Sequence, residues 1–157
     1  MKLKKEGYYT NRHSCFLLQY HLVLVTKFRH PVITDEVEEE LKAYTKCFFE
    51  RRERELVLQK MECMPDHIHI FFDAMPQINL AELVNAYKTA TSRRLRKLYL
   101  EALSRYYWKP YFWSLSYFIG SVSDRSVQAV KQYIQNQKIR GIHPRPIRRL
   151  GVVLCLK

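Results

Sequence analysis

Residues 56–74 read LVLQKMECMPDHIHIFFDA and decide the fold, because they contain two strand-like runs on either side of a proline. Leu56 to Met64 and His67 to Ala74 are both rich in β-favouring residues, and Pro65-Asp66 breaks the pattern between them. Only a tight connection fits into this break. We therefore predict that the two runs form a hairpin-like pair of strands.

The second of these strands carries two histidines on one face. Alternate side chains of a strand share a face, so His67 and His69 project together while Ile68, Ile70 and Phe72 point to the core. Neutral imidazole is a common metal ligand, and a His-x-His pair supplies two of the ligands that a divalent metal site needs. The pair alone does not decide for a metal, because ordinary polar strand residues are the more common case.

The flanking segments predict two helices and two further strands around the hairpin. Thr34 is expected to be the N-cap of a helix that runs to about Arg54, because acids follow it and apolar residues repeat at helical spacing. Asn79 and Glu82 form a plausible capping box for a longer helix that ends near Tyr99. The other predicted elements are strands over Cys15–Thr26 and Tyr111–Ile119, a linker over Gly120–Asp124 and a last helix over Ser126–Gln137.

The predicted order of elements is β-α-β-β-α-β, followed by one more α-helix. Right-handed crossovers turn this order into an α+β fold of the ferredoxin-like (RRM-like) type: a four-stranded antiparallel sheet with two helices on one face. The other face of the sheet is expected to be free for function. We predict a single domain over residues 1–157, in which residues 138–157 form a basic C-terminal tail.

The composition of the chain is strongly basic. A net charge of +12, from 27 Lys and Arg against 15 Asp and Glu, favours a polyanionic partner. The four cysteines form no C-x-x-C pair, which argues against a zinc knuckle and against a secreted disulfide framework. Neither an export signal nor an apolar run long enough to cross a bilayer is visible, so we expect a soluble, cytoplasmic protein.

Tyr133 and Gln137 lie one helical turn apart beside the apolar stripe of the predicted last helix, about 40° apart around its axis. A tyrosine in that position is more often a core aromatic whose hydroxyl reaches water. A phenol has a reference pKa of about 10, so it attacks phosphorus poorly unless the phosphate charge is neutralised and the leaving oxygen is stabilised. A metal held by His67 and His69 could do both. Such an enzyme could store the bond energy in a phosphotyrosine and rejoin DNA without ATP.

Four motifs occur along the chain in a fixed order. They are Tyr20-His21-Leu22-Val23-Leu24-Val25-Thr26-Lys27-Phe28-Arg29, Met64-Pro65-Asp66-His67-Ile68-His69, Phe112-Trp113-Ser114-Leu115-Ser116-Tyr117-Phe118 and Tyr133-Ile134-Gln135-Asn136-Gln137. In these motifs the chain resembles the single-tyrosine HUH transposases of the IS200/IS605 insertion-sequence family. The resemblance covers nearly the whole chain.

The resemblance implies that Tyr133 attacks the scissile phosphate of single-stranded DNA, which leaves a 5′-phosphotyrosine and a free 3′-hydroxyl. It also implies that His67, His69 and Gln137 hold a divalent metal. The family uses Mg²⁺, although two imidazoles and an amide should bind Mn²⁺ at least as well. Its members act on imperfect DNA hairpins as homodimers, in which each tyrosine helix packs near the histidines of the other subunit. Gly120 and the following linker would let that helix move.

Basic and aromatic side chains are candidates for contacts with DNA. The predicted DNA-binding residues are Lys27, Arg29, Lys88, Arg93 and Arg94. A merely solvated surface is an equal alternative for most of the basic residues. Five aromatic residues close together in the sequence could stack on unpaired bases, but packing in the core is the favoured interpretation. They are Tyr106, Tyr107, Trp108, Tyr111 and Trp113.

Glu62 and Asp66 could support the metal ligands, and Asp66 could equally be a turn residue.

Two other functions share these sequence features. A non-catalytic single-stranded nucleic-acid-binding module of RRM-like fold would use the same free sheet face. Against it, the glycine-aromatic signature of RNA-recognition domains is absent from residues 67–72. A related HUH nuclease that acts on host repeats would share every catalytic residue, so only the DNA substrate separates it from a transposase.

Overall fold

A four-stranded antiparallel sheet is the main feature of the computed structural model, which describes residues 8–10 and 12–122. The elements of this part of the chain are β1 (Tyr9–Thr10), β2 (Cys15–Phe16), β3 (Gln19–Thr26), a 3₁₀ turn (Lys27–Arg29), α1 (Asp35–Glu50), β4 (Leu56–Met64), β5 (His67–Ala74), α2 (Leu80–Leu98), α3 (Leu100–Ser104) and β6 (Trp113–Val122). The strand order in the sheet is β4-β5-β3-β6. This arrangement confirms the predicted α+β, ferredoxin-like fold.

The strand β5 lies in the interior of the sheet, between β4 and β3. His69 is paired with Val23 of β3 on one side and with Glu62 of β4 on the other. His67 is paired with Val25 and with Met64. Central strands are held by ladders of backbone hydrogen bonds on both edges, so the two histidines stand on one of the most rigid supports that the fold offers.

One face of the sheet forms the hydrophobic core with the two long helices. Ile68, Ile70 and Phe72 belong, as predicted, to the same buried cluster as Leu41 of α1 and Val84 of α2. Full burial of a side chain of this size contributes about 1.5–3 kcal/mol. Successive side chains of β5 point to opposite faces of the sheet. Packing of these apolar residues against the helices therefore directs the histidines to the other face.

The helix signals in the sequence predicted some helix ends better than others. The Asn79 side chain accepts hydrogen bonds from the backbone N–H groups of Ala81 and Glu82, at 3.1 and 3.3 Å, so the predicted N-cap of α2 is confirmed. Thr34 precedes α1 as predicted but makes no capping bond with its side chain. The first helix ends at Glu50 rather than near Arg54, because residues 51–55 close into tighter backbone turns.

Two predicted strands have different ends in the structure. The segment expected to be one strand over Cys15–Thr26 is divided, because Cys15–Phe16 pairs with Tyr9–Thr10 whereas the sheet strand begins at Gln19. The last strand begins at Trp113 and continues to Val122, so Gly120 is not in a linker but is paired with His21. A Cβ atom at Gly120 would lie 3.0 Å from the Phe118 ring, which explains why glycine suits this strand position.

Part of the sequence prediction lies outside the described residues. This part comprises the last helix over residues 126–137, with Tyr133 and Gln137, and the basic tail over residues 138–157. Among the residues that the structure does describe, no helix combines the length and the apolar character needed to span a membrane.

Candidate metal and nucleic-acid site

His67 and His69 lie side by side on the sheet face opposite the helices. Their ring centroids are 5.0 Å apart and their planes meet at 79°. This arrangement confirms that the two imidazoles project together. Both rings are buried, since His67 is 8% exposed and His69 is 4% exposed. Side chains from β3 and from the turn before β5 contact the rings.

Asp66 and Arg29 hold the first of these histidines. Asp66 Oδ1 lies 2.6 Å from His67 Nδ1, and Arg29 donates to Asp66 Oδ2 through Nε at 2.9 Å and Nη2 at 2.8 Å. The hydrogen bond from His67, together with the positive charge of Arg29, lowers the pKa of Asp66. Asp66 is therefore an ionised acceptor as well as a turn residue. With Nδ1 of His67 engaged in this bond, Nε2 is the nitrogen through which the ring would bind a metal.

A third histidine, which the sequence pattern did not predict as a site residue, holds the second ligand candidate. His21 Nε2 lies 2.9 Å from His69 Nδ1, and the two rings are stacked with centroids 5.1 Å apart and an interplanar angle of 16°. Burial lowers the pKa of His21 to about 4, so its imidazole is neutral at physiological pH. A neutral His21 can accept a hydrogen bond from His69 Nδ1. That bond selects the tautomer in which His69 Nε2 has a lone pair for a metal.

Glu62, a predicted supporting acid, lies beside His69 in the sheet. It is the cross-strand partner of His69, and its carboxylate forms an ion pair with Lys60 at 3.6 Å. Cross-strand partners point to the same face of a sheet, so Glu62 lies on the histidine side. This placement agrees with a supporting role next to His69.

A buried carboxylate at the far end of β5 was also missed in the sequence. Asp73 is 1% exposed, and its oxygens accept hydrogen bonds from Tyr9 Oη at 2.5 Å, Gln19 Nε2 at 2.9 Å and Gln59 Nε2 at 2.7 Å. Burial raises the pKa of Tyr9, and the hydrogen bond to Asp73 raises it further. These bonds join the short β1–β2 hairpin to the sheet on the side that carries the histidines.

The five predicted DNA-binding residues lie in two separate places. Lys27 and Arg29 follow β3 at the end of the sheet where His67 lies, and Arg29 is paired with Asp66. The other three belong to α2, whose buried side packs on the core face of the sheet. They are Lys88, which donates to the Leu115 carbonyl oxygen at 2.8 Å, Arg94, which forms an ion pair with Glu40, and the exposed Arg93. A DNA contact by any of the five stays a prediction.

The predicted aromatic core cluster is divided between the interior and the surface. Tyr107 and Trp113 are 2% and 7% exposed, as core packing requires, and Trp113 Nε1 donates to Thr91 Oγ1 at 2.9 Å. Tyr106 and Trp108 are 42% and 76% exposed, so the favoured interpretation as core residues is wrong for these two. Periodicity could not separate them, because they lie in an irregular segment before β6.

The chemistry of the histidine pair fits a divalent metal ion. Both Nδ1 atoms are engaged in hydrogen bonds, so the two imidazoles would bind a metal through their Nε2 nitrogens. Nitrogen ligands of this type suit Mn²⁺ and similar ions. Within residues 8–10 and 12–122, no cluster of three or more His, Cys, Asp or Glu side chains is arranged to hold a metal. His67 and His69 are two of the three predicted metal ligands, and the third, Gln137, lies outside the described residues.

Comparison with known proteins connects this geometry to one family. Residues 14–137 match the family model of the IS200-like transposases. The chain is 34% identical over 126 residues to the ISDra2 transposase TnpA of Deinococcus radiodurans. The aligned region covers 80% of this chain and 88% of that protein. A crystal structure of a candidate transposase from Deinococcus radiodurans R1 has a TM-score of 0.67 and 33% identity, over 82% of this chain and 97% of the other.

A more distant structural relative shares the fold. The structure of the REP-associated tyrosine transposase bound to a REP hairpin has a TM-score of 0.60 at 9% sequence identity. The superposition covers 84% of this chain and 74% of the other. At this identity the likeness concerns the fold alone.

Proposed function

The chain belongs to the IS200-like transposase family, and from this premise we propose that it transposes DNA by cutting and rejoining single strands through Tyr133. The observation that carries the proposal is the pair His67 and His69, buried side by side with hydrogen-bonded Nδ1 atoms. A pair of polar strand residues with a purely structural role would need neither the Asp66 carboxylate that is hydrogen-bonded to His67 nor the His21 imidazole that is hydrogen-bonded to His69. Both supports are the kind that orients metal-binding histidines.

His67, His69 and Gln137 would hold a divalent metal, Mg²⁺ or Mn²⁺. When bound, the cation neutralises charge on the scissile phosphate and stabilises the leaving oxygen. His67 and His69 offer nitrogen ligands, which suit Mn²⁺ better than Mg²⁺, whereas the side-chain oxygen of Gln137 suits either ion. Asp66 and His21 keep the two rings in the required tautomer and orientation.

Tyr133 would be the nucleophile. Its phenol gives up its proton to water as the oxygen attacks phosphorus in line, the bond from phosphorus to the 3′ oxygen breaks, and the 3′ oxygen takes up a proton from water and leaves as a hydroxyl. The product is a 5′-phosphotyrosine, and attack of a 3′-hydroxyl on that bond rejoins the strand. One phosphodiester is exchanged for another at each step, so no nucleotide cofactor is needed.

The DNA partner would be single-stranded DNA with hairpin ends, and the protein would act as a homodimer. The basic composition supports a nucleic-acid partner, because a net charge of +12 favours phosphate backbones. The homodimer follows from the family resemblance, in which the tyrosine helix of one subunit completes the site on the other. Lys27 and Arg29 lie nearest to the histidines among the predicted DNA contacts, because Arg29 is paired with Asp66.

The proposal is tested by incubating the protein with labelled single-stranded DNA that carries the ends of its own element, with Mg²⁺ or Mn²⁺. We expect a denaturant-resistant adduct that is lost in Tyr133→Phe, while hairpin affinity is retained. Tyr99→Phe is the matched control, since Tyr99 Oη donates only to the Glu36 carbonyl oxygen on the helical side.

Three outcomes of this experiment would contradict parts of the proposal. An adduct that persists in Tyr133→Phe would rule out this nucleophile. Tight binding without an adduct under either metal would indicate a nucleic-acid-binding module without chemistry. An adduct with dispersed host repeats but not with element ends would indicate an HUH nuclease of host DNA.

A further inference from the structure

An exposed aromatic surface lies beside the end of β3 and is not used in the proposed chemistry. It consists of Phe28, Trp108 and the half-buried Tyr111, which are called the aromatic patch. Phe28 is 54% exposed and Trp108 is 76% exposed, yet their rings are stacked with centroids 6.0 Å apart and an interplanar angle of 17°. Tyr111 meets both rings edge-on, at 6.1 Å from Phe28 and 6.3 Å from Trp108. Two large, exposed apolar rings held parallel are an unusual surface feature for a soluble domain.

The backbone holds Phe28 of this patch in an unfavourable conformation. Phe28 and Arg29 have φ angles of 60° and 56°, and they are the positive-φ residues other than glycine in the described part of the chain. The left-handed region is unfavourable for side chains of this size, and successive strained residues persist only where the surroundings hold them. Tyr107 contributes to this support, because its hydroxyl donates to the Lys27 carbonyl oxygen at 2.9 Å.

The charge around the patch suits a phosphate chain. Lys27 Nζ lies 4.8 Å from the centre of the Phe28 ring and 5.3 Å from the centre of the Tyr111 ring. An ammonium group next to two aromatic faces can contact a phosphate while a base stacks on a ring. A protein partner with an apolar surface would not need this cation, so the combination favours nucleic acid.

The patch is connected to the candidate metal site through two side chains. Arg29 follows Phe28 directly, its guanidinium is paired with Asp66, and Asp66 is hydrogen-bonded to His67. The same left-handed turn therefore directs Phe28 to the solvent and Arg29 towards the histidine. A strand of DNA whose phosphate lies at His67 would reach the patch with a nearby nucleotide.

We propose that the aromatic patch binds an unpaired base of single-stranded DNA close to the scissile phosphate, by stacking on the exposed face of Trp108. Phe28 supports the other face of the Trp108 ring, and Lys27 contacts the adjacent phosphate. The inference rests on the proposed function for the position of the scissile phosphate, but the stacking itself does not require cleavage.

The test measures binding of short oligothymidylate strands on a Tyr133→Phe background, which separates affinity from chemistry. We expect Trp108→Ala to weaken binding by about 5- to 150-fold, the loss expected when one base-stacking contact is removed. Trp108→Phe should retain much of the affinity because it keeps a π-face. Leu115→Ala, which trims an 88% exposed apolar side chain outside the patch, should bind as the parent protein does.

Salt dependence distinguishes stacking from charge. Trp108→Ala should leave the slope of log affinity against log salt unchanged, because tryptophan releases no counterions. Lys27→Gln should reduce the magnitude of that slope by about 0.7, the value for one phosphate contact on a single strand. Fluorescence gives a second readout: the chain has two tryptophans, and DNA should quench the exposed Trp108 but not the buried Trp113.

Each result supports or overturns the inference. Unchanged oligothymidylate affinity in Trp108→Ala would overturn it, and a normal adduct in the Trp108→Ala protein with Tyr133 intact would then leave the proposed function standing. Trp108-dependent affinity without any adduct in the wild type would support the patch and contradict the proposed function. A loss of dimer in Trp108→Ala with unchanged DNA affinity would overturn the inference by making the patch a subunit interface.

Discussion

His21 Nε2 lies 2.9 Å from His69 Nδ1, so one histidine of the His67–His69 pair is held by another histidine on the neighbouring strand. The contact is diagonal across the sheet, because the direct partner of His21 is Phe71 and that of His69 is Val23. The stacked rings leave His69 little freedom to rotate. His21 is thus a positioning residue for His69, and the bond between them sets which nitrogen can bind a metal.

Replacement of His21 is expected to weaken metal binding while the fold is preserved. His21→Phe keeps an aromatic ring against His69 but removes the hydrogen bond, so affinity for Mn²⁺ should fall by about 10- to 100-fold. His21→Gln, which offers a hydrogen-bonding group near the same place, should recover part of the loss. Calorimetric titration with Mn²⁺ measures both variants. Equal Mn²⁺ affinity in His21→Phe and in the wild type would show that His21 has no positioning role.

Asp66 is expected to tune the other ligand, because its carboxylate is hydrogen-bonded to His67 Nδ1 at 2.6 Å. Asp66→Asn keeps the shape of the side chain but removes the negative charge on the acceptor of the hydrogen bond from His67 Nδ1, so Mn²⁺ affinity should fall by about 10- to 100-fold. Glu101→Gln is the matched control, since the Glu101 side chain is 94% exposed and the change in net charge is the same. A similar fall in both variants would mean that only overall charge matters.

Tyr9 is expected to stabilise the protein through its hydrogen bond to the buried Asp73 carboxylate. Tyr9→Phe leaves that carboxylate with one donor fewer, so the free energy of unfolding should fall by about 1–3 kcal/mol at neutral pH. Tyr106→Phe, which removes a hydroxyl from a 42% exposed side chain, should change it little. Urea denaturation measures both. Equal stability in Tyr9→Phe and in the wild type would contradict the role of this bond.

The same bond predicts a difference at alkaline pH. Burial and the hydrogen bond to Asp73 raise the pKa of Tyr9 above its ordinary value of 10.0, so above that pH the unfolded chain loses the phenolic proton first. The contribution of Tyr9 to stability is therefore complete below about pH 10 and is lost as the pH rises further. The difference in unfolding free energy between wild type and Tyr9→Phe should shrink above pH 10. A constant difference across that range would exclude the linkage.

A site shared between two chains predicts recovery of activity in a mixed dimer. A His67→Ala chain has an intact tyrosine and a Tyr133→Phe chain has intact histidines, so their heterodimer should contain one complete site. DNA cleavage by this heterodimer is expected to reach about half of the wild-type level on a count of intact sites. Each homodimer should be inactive in the same assay. An inactive heterodimer would show that tyrosine and histidines act within one chain.

The sequence alone was sufficient for features that depend on neighbouring residues. The bounds of β4 and β5 were predicted as the structure has them, because Pro65-Asp66 breaks the backbone pattern and the residues on either side alternate or favour strands. The N-cap at Asn79 depends on a contact only two or three residues away. The shared face of His67 and His69 follows from the two-residue period of a strand.

Features that depend on which strands become neighbours were decided by the tertiary structure. The bond from His21 to His69 joins residues 48 positions apart, and the bond from Tyr9 to Asp73 joins residues 64 positions apart. The last strand runs past Gly120 to Val122 because β3 continues beside it to Gln19. Local propensity can place a histidine on a face of a strand. Only the register between strands determines which side chain lies against it, because that register is set by packing of the whole sheet.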